Sequence, residues 1–180
     1  MPRKQGGAIL IFCLVFLLVL TMMSVSSMES TVLEERMAGN MQDYSVAFQA
    51  AEAALQAGED WLESQVFWPA VSSDGSTPVW QQDAMDPTAN NSVSWWSEVV
   101  RDDSDWWGAN ALTADGFTDL AAAPGYIIEE YATVSTGESI AIGNGAQTRT
   151  RVFHRITARG TGENESTVVQ VQSTFVKPYE

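Results

Sequence analysis

Arg3-Lys4-Gln5-Gly6-Gly7-Ala8-Ile9-Leu10-Ile11-Phe12-Cys13-Leu14-Val15-Phe16-Leu17-Leu18-Val19-Leu20-Thr21-Met22-Met23 decides what kind of chain this is. Two positive charges and two glycines lead straight into an apolar run broken only by Thr21, and the next charge is Glu29. Wound as a helix, residues 8–28 measure about 31 Å, one hydrocarbon core thick. Arg3 and Lys4 precede the run, while Glu29, Glu34 and Glu35 follow it. The positive-inside bias therefore puts the N-terminus in the cytoplasm and everything after Glu29 outside.

An ordinary secretory signal would carry a shorter apolar region followed by a small-x-small cut. Ser24-Val25-Ser26 has that form, but the run is long and helical patterning continues past it without a break. A simple uncleaved anchor stays open on periodicity alone. Beyond the anchor, Leu33, Met37, Met41, Tyr44, Phe48, Ala51, Leu55, Leu62 and Val66 recur at helical spacing, with charged residues at other positions. The spacing predicts an amphipathic helix over residues 29–66. Gly39-Asn40 is its weak point, costing about 1 kcal/mol relative to alanine. Thr31-x-x-Glu34 has the form of a capping box, which marks residue 30 as an alternative helix start. The Met and aromatic stripe reads as packing face rather than cofactor site.

Residues 67–125 change character. Pro69, Pro78, Pro87 and Pro124 punctuate a stretch rich in Ser, Asp, Asn and Gly, which reads as loops with short helices, one of them over residues 90–100. Trp68, Trp80, Trp95, Trp96, Trp106 and Trp107 lie in this insert. After it the sequence alternates, and three strands are expected at 126–134, 149–159 and 167–175. In the second, Val152, His154, Ile156 and Ala158 share one face, and Arg151, Phe153, Arg155, Thr157 and Arg159 the other. Gly160-Thr161-Gly162-Glu163-Asn164 reads as a hairpin turn, and residues 137–147 as a longer loop. The expected fold is α+β: a long N-terminal helix, its first half transmembrane, laid over a small antiparallel sheet at 126–180, with a Trp-rich loop and helix insert.

Three groups of residues carry a resemblance. A basic leader ending in glycine abuts the apolar helix at Gly7-Ala8-Ile9-Leu10-Ile11-Phe12. Further on come Leu33-Glu34-Glu35-Arg36-Met37-Ala38-Gly39-Asn40-Met41 and Ala47-Phe48-Gln49-Ala50-Ala51-Glu52-Ala53-Ala54-Leu55. Near the C-terminus stands Phe153-His154-Arg155-Ile156-Thr157-Ala158-Arg159-Gly160. Together they resemble PilX-type minor pilins of the type IV pilus, over the N-terminal third and the C-terminal third, with no likeness read between. The resemblance implies a prepilin leader at 1–7, a cut between Gly7 and Ala8, and methylation of Ala8 by a prepilin peptidase. It also implies one continuous helix, an inner-membrane subunit with a periplasmic domain, and later incorporation into a filament. The implied partners are the major pilin, other minor pilins and a large tip adhesin. One departure matters: major pilins carry a glutamate at the fifth mature position, where this chain has Phe12. The tip pseudopilin of a type II secretion system, which also lacks that glutamate, is the neighbouring alternative.

The chain has 23 acidic and 9 basic residues among 180, a formal net charge of −14, which disfavours nucleic acid as a partner. Its single cysteine, Cys13, lies in the apolar run, so neither an internal disulfide nor a cysteine metal site forms. No catalytic motif is present, and His154, on an apolar strand face, reads as a hydrogen-bonded core or interface residue. Glu129 and Glu130, adjacent in a strand, point to opposite faces and pair with the arginine row, worth a few tenths of a kcal/mol to about one. Asp103 and Asp105 with Gly108 invite comparison with a calcium loop, but Trp107 and Ala114 fall where ligands belong. Trp95, Trp96, Trp106 and Trp107 form a candidate glycan- or surface-binding face, set against ordinary packing of tryptophan beneath loops. A membrane-anchored binding module is thus the second functional reading.

Overall fold

The computed structural model of the protein describes residues 8–88, 91–98, 103–136 and 149–179. The chain divides into two compact units, Met1–Gln42 and Asp43–Glu180. Helix α1 runs over Ala8–Ser64, continuous as expected, and the alternative start at residue 30 is not used. Thr31 is no cap: its hydroxyl donates back to the Ser27 carbonyl at 3.1 Å, as a threonine inside a helix does. Every described side chain from Ile9 to Gln42 is exposed, and from Ile9 to Met28 none of them is charged. α1 is the one helix, among the described residues, long and apolar enough to cross a membrane.

The second unit is built on a sheet of six strands among the described residues. These are β1 (Val71–Ser72), β2 (Val79–Gln81), β3 (Leu112–Thr113), β4 (Gly125–Thr136), β5 (Arg149–Thr161) and β6 (Val168–Tyr179). β4, β5 and β6 make the expected antiparallel meander, each a little longer than its alternation predicts. The expectation of a purely antiparallel sheet is corrected at the other edge. β2 pairs parallel with β4, Val79 opposite Ile128, and β1 pairs parallel with β2. A parallel neighbour requires a long crossover, and the segment between Gln81 and Gly125 supplies it. The insert is therefore the connection that completes the sheet as well as a decoration on it. Within it lie a short 3-10 turn, Trp95–Ser97, and helix α2, Ser104–Asn110. The first replaces the longer helix expected over 90–100, whose residues 90, 99 and 100 lie outside the described ones, as does the loop expected over 137–147.

Alternation along β4 and β5 gives the sheet two buried faces. Tyr126, Ile128, Ile156 and Ala158 pack with Ala54 and Leu62 of α1. Ile127, on the opposite face, packs with Met85, Trp95 and Trp107 of the insert. The face of α1 that does this packing shares Ala51, Leu55 and Leu62 with the predicted stripe but is otherwise offset from it toward small residues. Ala47, Ala50, Ala51, Ala54, Gly58 and Leu62 are buried, while Leu33, Met37, Met41, Tyr44 and Phe48 are exposed. Small residues win this face because the helix lies directly on β5. A Cβ on Gly160 would overlap the backbone of Ala47 and Ala51, and one on Gly58 would come within 2.9 Å of the Ile156 side chain. Large apolar residues cannot fit such an approach. α1 ends at Ser64, two residues before the predicted boundary, and Val66 and Phe67 stand exposed beyond it.

Candidate functional site

Where α1 ends, its last carbonyls need partners, and β6 returns to provide them. The Lys177 ammonium donates to the carbonyls of Leu62, Glu63 and Gln65 at 2.9, 2.6 and 2.6 Å. A cation there also faces the negative end of the helix dipole. At the start of the second unit, Asp43 accepts from the backbone N–H of Glu163 at 2.6 Å, in the β5–β6 turn. The Thr167 side chain also donates to the Asp43 carboxyl and holds it below the ordinary carboxylate range, helped by backbone N–H groups and opposed by burial. The helix is thus tied to the hairpin at both ends of their contact.

On the opposite sheet face a buried charge network holds the insert. Glu129 is 0% exposed. Its carboxylate accepts from Arg155 Nε at 2.9 Å and Nη2 at 3.0 Å, from Trp95 Nε1 at 3.1 Å and from the backbone N–H of Asp83 at 3.2 Å. Arg155 also donates to Asp83 Oδ1 at 2.9 Å and lies 4.5 Å from the centre of the Trp96 ring. Burial alone would lower the guanidinium pKa, but the bonds and charges of Glu129 and Asp83 outweigh it and raise it. Asp83 takes a left-handed φ of 54°, which turns both its N–H and its carboxylate toward the pair. The expected cross-strand pair of Glu129 with the arginine row is therefore present, but not on the surface scale expected. Removing one partner of a buried pair costs about 3–5 kcal/mol. Glu130 goes elsewhere, accepting from Trp68 Nε1 at 2.8 Å.

The four tryptophans singled out in sequence do come together. Trp95 lies 5.6 Å from Trp96, 5.8 Å from Trp106 and 6.2 Å from Trp107, ring centre to ring centre. Trp95 and Trp107 are buried at 1% and 4% exposure, so only the half-buried Trp96 and Trp106 reach the surface. The cluster packs beneath the loops; as a binding face it is narrowed to those two. Asp103 caps α2, accepting from the Asp105 N–H at 3.0 Å, and Asp105 is exposed in the first turn of that helix. Among the described residues, no three His, Cys, Asp or Glu side chains are grouped to hold a metal.

His154 occupies the core position its pattern predicts, 0% exposed, but the hydrogen bonding expected of it is corrected: neither ring nitrogen has a hydrogen-bond partner among the described residues. Burial, and then the charge of Lys177, lower its pKa to about 4, so it is neutral near pH 7. Gly7 lies outside the described residues, and Ala8 is the first residue of α1. Phe12 is 76% exposed, one turn into the helix. Sequence reasoning missed Lys177, Asp43 and the burial of Glu129. Only the lysine left a signal, being the lone cation in β6.

Two family profiles match this chain. PilX N-terminal covers residues 5–56. Type IV pilus assembly protein PilX C-term covers residues 76–177. The chain belongs to the PilX family of type IV pilus assembly proteins. The second match reaches back through the tryptophan-rich segment, so that segment is part of the family's domain, contrary to the sequence reading that found no likeness there. Neither the search of curated proteins nor that of solved structures gave a match. The long exposed apolar helix and the mixed sheet it packs on are those of a pilin-like α+β protein, and a minor pilin is a structural component that acts with other pilus components.

Proposed function

We propose that this minor pilin is made as a prepilin, cut between Gly7 and Ala8, and placed at the initiating or tip end of the filament. The observation that carries the position is Phe12. In major pilins, a glutamate at this place meets the amine of the subunit added before it. An unpaired carboxylate at membrane depth costs about 2.5–3.5 kcal/mol on insertion scales, so it is kept where a partner waits. Phe12, apolar and 76% exposed, accepts no such bond. A subunit with Phe12 gains nothing from a neighbour above it, while a free amine on Ala8 is still available from below. That asymmetry suits the first subunit in line. In this reading the globular unit is periplasmic, no reaction is catalysed, and the partners are prepilin peptidase, other minor pilins, the major pilin and a tip adhesin.

Gold-labelled antibody against the domain should mark filament ends. Labelling scattered along the shaft would overturn the tip position while leaving family membership intact. Intact-mass measurement tests the processing step separately. Loss of residues 1–7 removes Arg3 and Lys4 and takes the formal net charge from −14 to −16.

A further inference from the structure

β6 forms one edge of the sheet: β5 lies on one side of it, and among the described residues no strand lies on the other. Edge strands are normally protected by charge, proline, bulges or shortness. Lys177 and Pro178 protect the C-terminal end of β6, but the residues before them do not. Val168-Val169-Gln170-Val171-Gln172-Ser173-Thr174-Phe175-Val176 contains no charge, no proline and no glycine, and its pairing with β5 runs without a register shift. A regular, uncharged, valine-rich edge of this length is an open template for another strand.

Beside that edge lies a groove of about 560 Å³ between β6 and the flank of α1 in the second unit. Phe48, Leu55 and Phe175 give it an apolar floor, and Glu52, Asp60 and Glu63 give it an acidic rim. Glu59 is engaged from within, accepting from the Ser173 hydroxyl at 2.8 Å. The other three rim carboxylates face open space on the helix side. An occupant that satisfies both features is extended, to pair with the backbone of β6, and alternates apolar and basic side chains, to meet floor and rim. A helix in the groove would leave the edge unpaired. A second copy would bring its own acidic rim, on a chain of net charge −14, against this one.

We propose that the free edge of β6 and the acidic groove beside it dock an extended basic segment of a partner protein, which joins the sheet as an added strand. The length of unprotected edge, about 30 Å, accepts roughly nine residues. This surface is separate from the exposed membrane half of α1 and does not depend on filament position.

The test uses the full chain in neutral detergent micelles, with blank micelles subtracted. A labelled peptide of about nine residues alternating lysine and valine is titrated against it. The same peptide with glutamate for lysine serves as control. The lysine peptide should bind about tenfold tighter or better and weaken as salt rises. Hydrogen exchange should slow at alternate amides of β6. The doubly exposed-site variant Glu52→Lys, Asp60→Lys should lose the preference for the lysine peptide. Val176→Lys, on the strand itself, should weaken binding independently of the rim. Equal binding of both peptides, protection confined to other strands, or unchanged affinity in both variants would overturn the proposal. Self-association through β6 in ultracentrifugation would replace it with a homotypic contact.

Discussion

Replacing Gly160 with alanine adds one methyl group where α1 touches β5 most closely. That Cβ would sit 3.0 Å from the carbonyl carbon of Ala50 and closer still to the Ala47 oxygen and the Ala51 nitrogen. All three are backbone atoms of a helix, which cannot turn aside as a side chain does. Comfortable carbon contacts lie at about 3.5–4.0 Å, so the helix must withdraw by roughly 1 Å. A gap of that size forfeits about a quarter to a half of each dispersion contact along Ala47, Ala50, Ala51 and Ala54. With the strain of overpacking, the loss should be about 2–3 kcal/mol. For a domain of this size that corresponds to a fall in Tm of about 6–12 °C, followed by far-UV circular dichroism of the detergent-solubilised chain. Gly39→Ala is the internal contrast. Nothing lies within 4 Å of a Cβ there, so relief of the glycine penalty should raise helix stability by up to about 1 kcal/mol. If Gly160→Ala leaves Tm unchanged, the close approach of helix and strand is refuted, and with it the account of why alanines line this face.

Glu129→Ala should destabilise the domain by about 3–5 kcal/mol, because it leaves Arg155 buried with only Asp83 for partner. The double variant with Arg155→Met should recover a measurable part, as a double-mutant cycle in urea would show. Lys177→Met removes three charge-assisted bonds to the end of α1 and should cost about 1.5–3 kcal/mol, with hydrogen exchange rising first around residues 60–64. His154 has a folded pKa of about 4 against an ordinary 6.5, so the fold favours its neutral form. Its contribution is fully present above about pH 6.5 and is lost as pH falls towards 4, a span worth about 3 kcal/mol. Acid unfolding midpoints should therefore shift lower in His154→Phe, and an unchanged midpoint would remove the histidine from that account.

Sequence periodicity exposes the long strands and the long helix because each presents enough residues for its repeat to be counted. Alternation from Val152 to Ala158 assigns both faces of β5 correctly, down to the buried His154. The predicted face of α1 holds at Ala51, Leu55 and Leu62 and fails at Tyr44 and Phe48, for a physical reason. This helix carries two apolar surfaces, a large-residue stripe through Leu33, Met41 and Phe48 and a small-residue stripe through Ala47, Ala54 and Gly58. Hydrophobicity ranks the first higher, but the distance of approach to β5 selects the second. The signal was present as alanine and glycine at spacings of three and four. β1 and β2, of two and three residues, are too short for any period, and their parallel pairing depends on a partner far along the chain. The depth of Glu129 was equally out of reach, since it arises only when Trp95 and the turn at Asp83 fold back over the sheet.

The ties between α1 and the hairpin join residues very far apart in the chain: Asp43 to Glu163 across 120 positions, Leu62 to Lys177 across 115. During synthesis the helix is made first and its binding strands last. The small-residue face of α1 consequently has no surface to close on until β5 and β6 have been made. Topology of this kind makes folding slow and all at once rather than progressive. A chain stalled or clipped before Val168 would keep a finished apolar helix and lack the strand that supplies Lys177, so completion of β6 sets the moment at which the domain can form.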